Sequence, residues 1–137
     1  MGSEKRMVTR DEVMPMLLAA CPSFEAPWRK YVDDPTYEAG LLYIDLGEFA
    51  HHLVRLQKAG ETAEFEAVFR VVEVLHTDGD AHVREAATIG LLEGIQNLAG
   101  NDNLDPESFC FYLRPESLEW WEKLNAFWSG DVEALRE

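Results

Sequence analysis

Cysteine is scarce in this 137-residue sequence. Only Cys21 and Cys110 occur, too few for a disulfide framework and too far apart for the close pairs of a zinc site. Both fall in apolar helical patterns and read as buried, reduced thiols, which points to the cytoplasm. Long apolar runs are also missing: none approaches the ~20 residues that span a bilayer. The opening Met1–Arg6 carries no apolar stretch of secretory type. Met1-Gly2-Ser3 reads as a cloning remnant and Met7 as a native start, so residues 1–6 are set outside the fold. Basic residues are few, 12 against 26 acidic ones, for a formal net charge of −14. Nucleic acids and anionic membranes are recognised through Lys and Arg, so neither is an expected partner. Glycines stand singly, which leaves no phosphate-cradling loop. No serine lies in a strand–turn–helix, and neither cysteine has a histidine at an informative spacing. Catalysis is therefore not expected, and no cofactor is implied.

Apolar residues at helical spacing are abundant, with 47% hydrophobic and 11% aromatic residues, enough for one buried core. Thr9 and Glu12 form a capping box that opens a helix through Val13, Met16, Leu17 and Ala20, with Pro15 expected to bend it. Pro22, Pro27 and Pro35 break the next region, leaving a short helix at Trp28–Val32. Leu42, Leu46, Phe49, Leu53 and Leu56 recur at three- and four-residue steps, predicting a helix that stops at Gly60. A second long helix is predicted over Glu61–His76, with Phe65, Val68, Phe69, Val72 and Leu75 on one face. After the turn Thr77–Asp80, Asp80 caps a third helix whose inner stripe is Val83, Ala87, Gly90, Leu91, Ile95 and Leu98. Pro106 and Pro115 each suit a first helical position, the last helix reaching Trp128. No segment alternates with period two. The expectation is all-α: a single helical domain over 7–130, a bundle or short α-solenoid, with 131–137 as a tail that frays.

Leu75, Asp78-Gly79-Asp80, Val83-Arg84, Ala86-Ala87 and Leu91-Leu92 together resemble a HEAT-like repeat. The resemblance covers 71–95; in such a repeat two antiparallel helices meet at an Asp-containing turn, which here implies a pair over about 62–97 and an Arg84 near Asp78 or Asp80. More broadly, Ala20–Phe24, Leu42–Phe49, Val83–Asn97, Trp120-Trp121 and Asn125–Trp128 resemble a small bacterial family that is a domain of unknown function. That resemblance implies fold and boundaries and no activity.

Two Glu-x-x-His steps are the one chemical constellation. Glu48 and His51 share a helical face, as do Glu73 and His76, and carboxylate-bridged di-iron bundles use such pairs. If the helices fold back at Gly60, these four form the alternative reading of a metal-dependent enzyme or sensor. A ferritin-like site also needs single inward glutamates from two further helices, which the chain order does not supply. His76 near a helix end is explained by the helix dipole. On the last helix Leu118, Trp121, Leu124 and Trp128 form a core stripe, docked on Phe109, Phe111 and Tyr112, with Trp120 on its flank.

The leading expectation is a non-catalytic protein-interaction protein, an acidic inhibitor or immunity protein that masks a basic partner such as a toxin. Asp78, Asp80, Glu85 and Glu93 would imitate an anionic substrate, and Trp120 would add an aromatic contact. An adaptor or scaffold subunit using the aromatic helix is the other non-catalytic reading.

Overall fold

The computed structural model describes residues 6–130 and 133–135, so the expected cloning remnant (apart from Arg6) and most of the expected tail lie outside the described residues. Within them the secondary structure is helical, with one isolated bridge. The capping box opens helix α1 (Arg10–Ala20), where the Thr9 N–H donates to Glu12 Oε1 at 2.9 Å. Pro15 lies within this helix but faces solvent, and Val13, Met14 and Leu17 face inward. A 3-10 turn, Pro22–Phe24, leads into α2 (Glu25–Val32). This helix starts earlier than the sequence predicts, because Pro27 falls in the first turn, where a missing N–H forfeits no intrahelical bond. None of its residues is fully buried, so it lies as a surface cover, with Trp28 tilted on Phe24.

Helix α3 (Leu42–Ala59) buries Leu42, Leu46, Phe49 and Leu53, and ends where Gly60 turns left-handed at φ 74°. Helix α4 (Phe65–Asp78) buries the five expected residues, though it begins at Phe65. Only Gly79 and Asp80 separate it from the next helix. The Asp80 carboxylate accepts the Val83 N–H at 2.9 Å, as an N-cap should.

That next helix is continuous but not uniform: α5 (Ala81–Glu85), π-helical turns over Ala86–Leu92, then α6 (Glu93–Asn101). It packs most extensively on α3, helped by small residues. A Cβ added at Gly90 would stand 3.2 Å from both Leu46 and Tyr43, and one at Gly94 would stand 3.4 Å from Ala50. Val83, Ala86 and Ala87 are buried, as the α4–turn–α5 pattern implies. The pair is nonetheless not self-contained, since its second helix leans on α3 more than on α4. Arg84 lies beside Asp80, its N–H donating to the Asp80 carbonyl at 2.9 Å, but among the described residues its guanidinium forms no ion pair.

Val8 closes this turn from outside. Its N–H donates to the Asp78 carbonyl at 2.9 Å, and its carbonyl accepts the Asp80 N–H at 3.0 Å. Gly79 between them has no room for a side chain: a Cβ there would lie 2.4 Å from the Leu75 carbonyl oxygen and 2.6 Å from Val83.

The chain finishes with a 3-10 segment, Pro106–Tyr112, and α7 (Pro115–Trp128). Phe65 stacks on Phe109 and meets Tyr112 edge-on, tying the segment to α4. Trp121 and Leu124 are buried as expected, and the Trp121 indole N–H donates to Glu107 at 3.1 Å. Trp128, Phe111 and Cys110 each depart from the buried positions expected of them. Trp128 is 56% exposed and Phe111 88% exposed, because the segment turns Phe109 and Tyr112 inward and the core ends about one turn before α7 does. Cys21 is buried, Cys110 only partly so, and both are free thiols. No helix among the described residues is long and apolar enough to cross a membrane.

Candidate functional site

Glu85 and Trp120 meet in a cleft of about 780 Å³ between α5, the π-helical turns and α7. Arg84, Lys123 and Glu116 line it as well. Lys123 places its ammonium 4.2 Å from the centre of the Trp120 ring, so two cations offset the two carboxylates. The π-helical stretch supplies Thr88 and Ile89 to the wall, and such turns are frequent at functional sites. Asp78, Asp80 and Glu93 are not part of the lining. Asp80 is committed to its cap and Asp78 is half-buried at the Val8 bridge. Glu93 is half-buried on α6, where desolvation raises its pKa. The five residues expected to form one partner surface are therefore divided among different roles.

The four residues of the metal alternative are not brought together. His76 is buried at the floor of the cleft, its Nδ1 2.9 Å from the Val72 carbonyl and its Nε2 3.0 Å from the Thr88 hydroxyl. A carbonyl can only accept, so Nδ1 carries the proton and Nε2 accepts from Thr88. Glu73 receives the N–H groups of Glu116 and Ser117 at 2.9 and 3.0 Å, and the Ser117 hydroxyl at 2.9 Å. It serves as the N-terminal cap of α7. Desolvation alone would raise its pKa, but these bonds outweigh it and hold the carboxyl below its ordinary value. Burial in turn lowers the pKa of His76. Glu48 and His51 are exposed on α3, in separate depressions. Among the described residues no three His, Cys, Asp or Glu side chains form a group that could hold a metal ion.

A second polar constellation has no signature in the sequence, because 29 and 41 residues separate Ser23 from His52 and Glu64. Ser23 Oγ lies 2.9 Å from His52 Nε2 and 2.6 Å from Glu64 Oε1. Arg55 Nη2 lies 3.2 Å from His52 Nδ1, and Cys21 donates to Glu64 at 3.1 Å. The set resembles a serine–histidine pair, but the proton directions forbid that chemistry. Arg55 can only donate, so Nδ1 accepts and the neutral ring carries its hydrogen on Nε2. Nε2–H then donates to Ser23, and Ser23 donates to Glu64. His52 has no free lone pair with which to take the serine proton. Burial pushes the Cys21 thiol up to about 12, with Glu64 beside it adding to the shift. This thiol is not a nucleophile near neutrality.

An open apolar surface lies elsewhere. A groove of about 820 Å³ runs between α2, the loop over 33–41 and one side of α3 as far as Arg55. Leu41, 40% exposed, and Ile44, 56% exposed, lie in it, and Tyr31 and Tyr37 meet edge-on at 5.0 Å along its wall. Asp34, Glu38 and Glu48 stand among its lining acids, facing Lys30 and Arg55, and Arg55 is held back by His52. The sequence did carry a signal for this surface. Leu41-Leu42-Tyr43-Ile44 is apolar throughout, yet one helical stripe can take only part of it inward.

The family model for a domain of unknown function, DUF7674, matches residues 14–129. No curated protein and no solved structure matches the chain.

Proposed function

This chain belongs to the DUF7674 family, a domain of unknown function, and we propose that it is a non-catalytic binding protein that captures a basic partner in the α2–α3 groove. The observation that carries the reading is the exposed pair Leu41 and Ile44 within a tyrosine-walled groove that Asp34, Glu38 and Glu48 also line. An apolar centre with a charged rim is the anatomy of an interaction hot spot. The net charge of −14 adds long-range attraction for a cationic partner and speeds its capture. A segment bearing Lys or Arg beside an aliphatic side chain would satisfy both parts. An inhibitor or immunity protein that masks a basic toxin works in this way. An adaptor role would draw instead on Phe111 and Trp128, the exposed aromatics at the other end.

The test is affinity capture from the cell of origin at low ionic strength. Wild type should retain a basic protein that salt releases. Ile44→Lys should lose it while keeping its thermal stability, because Ile44 is exposed. Glu61→Lys, a larger charge change outside the groove lining, should keep it. Equal capture by Ile44→Lys and wild type, or no partner at all, would overturn the proposal.

A further inference from the structure

Asp45 is one of the few charged residues in the interior. It is 6% exposed, and its Oδ1 has no hydrogen-bond partner. An ionised carboxylate so placed is costly unless a donor or a cation answers it. Tyr31 and Tyr37 lie close enough for the carboxylate to affect both phenols, yet neither bonds to that oxygen. Asp45 also lines a small cavity of about 170 Å³, distinct from the groove. Trp28, Met14 and Leu42 supply its apolar lining, and Arg10 and Asp11 its charged lining.

Arg10 matters most here. Its guanidinium reaches the Gly40 turn, 4.0 Å from where a Cβ on that residue would sit. Among the described residues it forms no ion pair. One small cavity thus holds a guanidinium and a buried carboxylate that do not neutralise each other. At ~30 Å³ for each water-sized group, the 170 Å³ take roughly six non-hydrogen atoms.

We propose that this cavity binds a small free α-amino acid. The ammonium would be taken by Asp45, the carboxylate by Arg10, and the short side chain by Met14, Trp28 and Leu42. A zwitterion of this size meets the demands of both charged groups at once, whereas a plain amine or a plain carboxylate meets only one. The aromatic wall favours the cationic end, and the guanidinium fork suits a carboxylate.

Titration calorimetry on the full chain tests the idea with alanine and its two halves, ethylamine and propionate. Alanine should bind saturably, ethylamine at least about tenfold more weakly, and propionate not measurably. Asp45→Asn, nearly isosteric, should weaken alanine roughly tenfold to a hundredfold. Arg10→Gln, at an exposed position, should weaken alanine and leave ethylamine unchanged. Should Asp45→Asn fail to fold by circular dichroism, Arg10→Gln carries the test alone. The proposal fails if alanine gives no saturable heat, if ethylamine binds as tightly as alanine, or if a folded variant binds alanine like wild type. Partner capture in the groove rests on Leu41 and Ile44, which do not line this cavity, so the Ile44→Lys test stands whatever alanine does.

Discussion

Glu73 caps a helix that it does not belong to. Helix α7 begins after Arg114, whose side chain provides no cap. The N–H groups of Glu116 and Ser117 turn instead to a carboxylate on α4, more than 40 residues earlier in the chain. Glu73→Ala removes that acceptor. Loss of an N-cap costs ~0.5–2 kcal/mol, and stranding a buried donor such as the Ser117 N–H costs ~1–3 kcal/mol. Glu73 is only half-buried, so water replaces part of what is lost, and the expected destabilisation is about 2 kcal/mol. Glu73→Gln keeps an oxygen acceptor but loses the charge at the helix N-terminus, for about 0.5–1 kcal/mol.

The pH dependence separates these terms. The folded-state pKa of Glu73 lies below the ordinary 4.5, so its charge contributes stability that is fully present above that value and is lost as pH falls through the folded pKa. Urea unfolding followed by helical circular dichroism should show the gap between wild type and Gln at pH 7, and should show it shrink in acid. Equal stability of Ala and wild type at pH 7, or a Gln gap independent of pH, would refute the capping role. A metal-ligand role would predict a loss that depends on added metal instead.

Three further outcomes are expected. Gly79→Ala forces a Cβ against the Leu75 carbonyl and Val83, and should lower the urea midpoint by the equivalent of roughly 1–3 kcal/mol; an unchanged midpoint would mean the turn opens freely. Burial lowers the pKa of His52 and of His76, so both contribute stability present above the ordinary 6.5 and lost as pH falls below it. The melting temperature should therefore drop more steeply between pH 7.5 and 5.5 in wild type than in His76→Gln, and parallel slopes would count against a buried neutral imidazole. Ser23 should resist fluorophosphonate labelling, while Ser23→Ala should cost about 1 kcal/mol by loss of its bonds to Glu64 and His52; stoichiometric labelling would overturn the proton directions assigned above.

Where one helix could express its pattern alone, the sequence was a good guide. The stripes of α3 and α4, the stop at Gly60, the Asp80 cap and the proline starts of the last two segments depend on spacing within a turn or two. Features that need a distant partner were invisible. The π-helical turns over Ala86–Leu92 pack mainly on α3, and no local residue preference announces them. Trp128 and Phe111 carry the apolar character of core residues, but neighbouring elements end before they can cover them. Among candidate site residues, Glu85 and Trp120 do share a cleft. Glu73 and His76 bond to Ser117 and Thr88, which come from other helices and so left no mark in the local spacing. The groove was half-legible: the surplus of apolar residues at Leu41–Ile44 was present, but which of them face outward depends on where α2 and its loop come to rest.

The Val8 bridge also orders events during synthesis. Asp78 and Asp80, which hold Val8, follow it by about 70 residues, a delay on the order of ten seconds at ~5–20 residues per second. Throughout that interval α1 has neither this anchor nor α4 to cover Val13, Met14 and Leu17. Helix α1 is thus made well before it is secured. A nascent chain stalled before Gly79 should present that apolar face to chaperones and proteases, and one stalled beyond α6 should be able to conceal it.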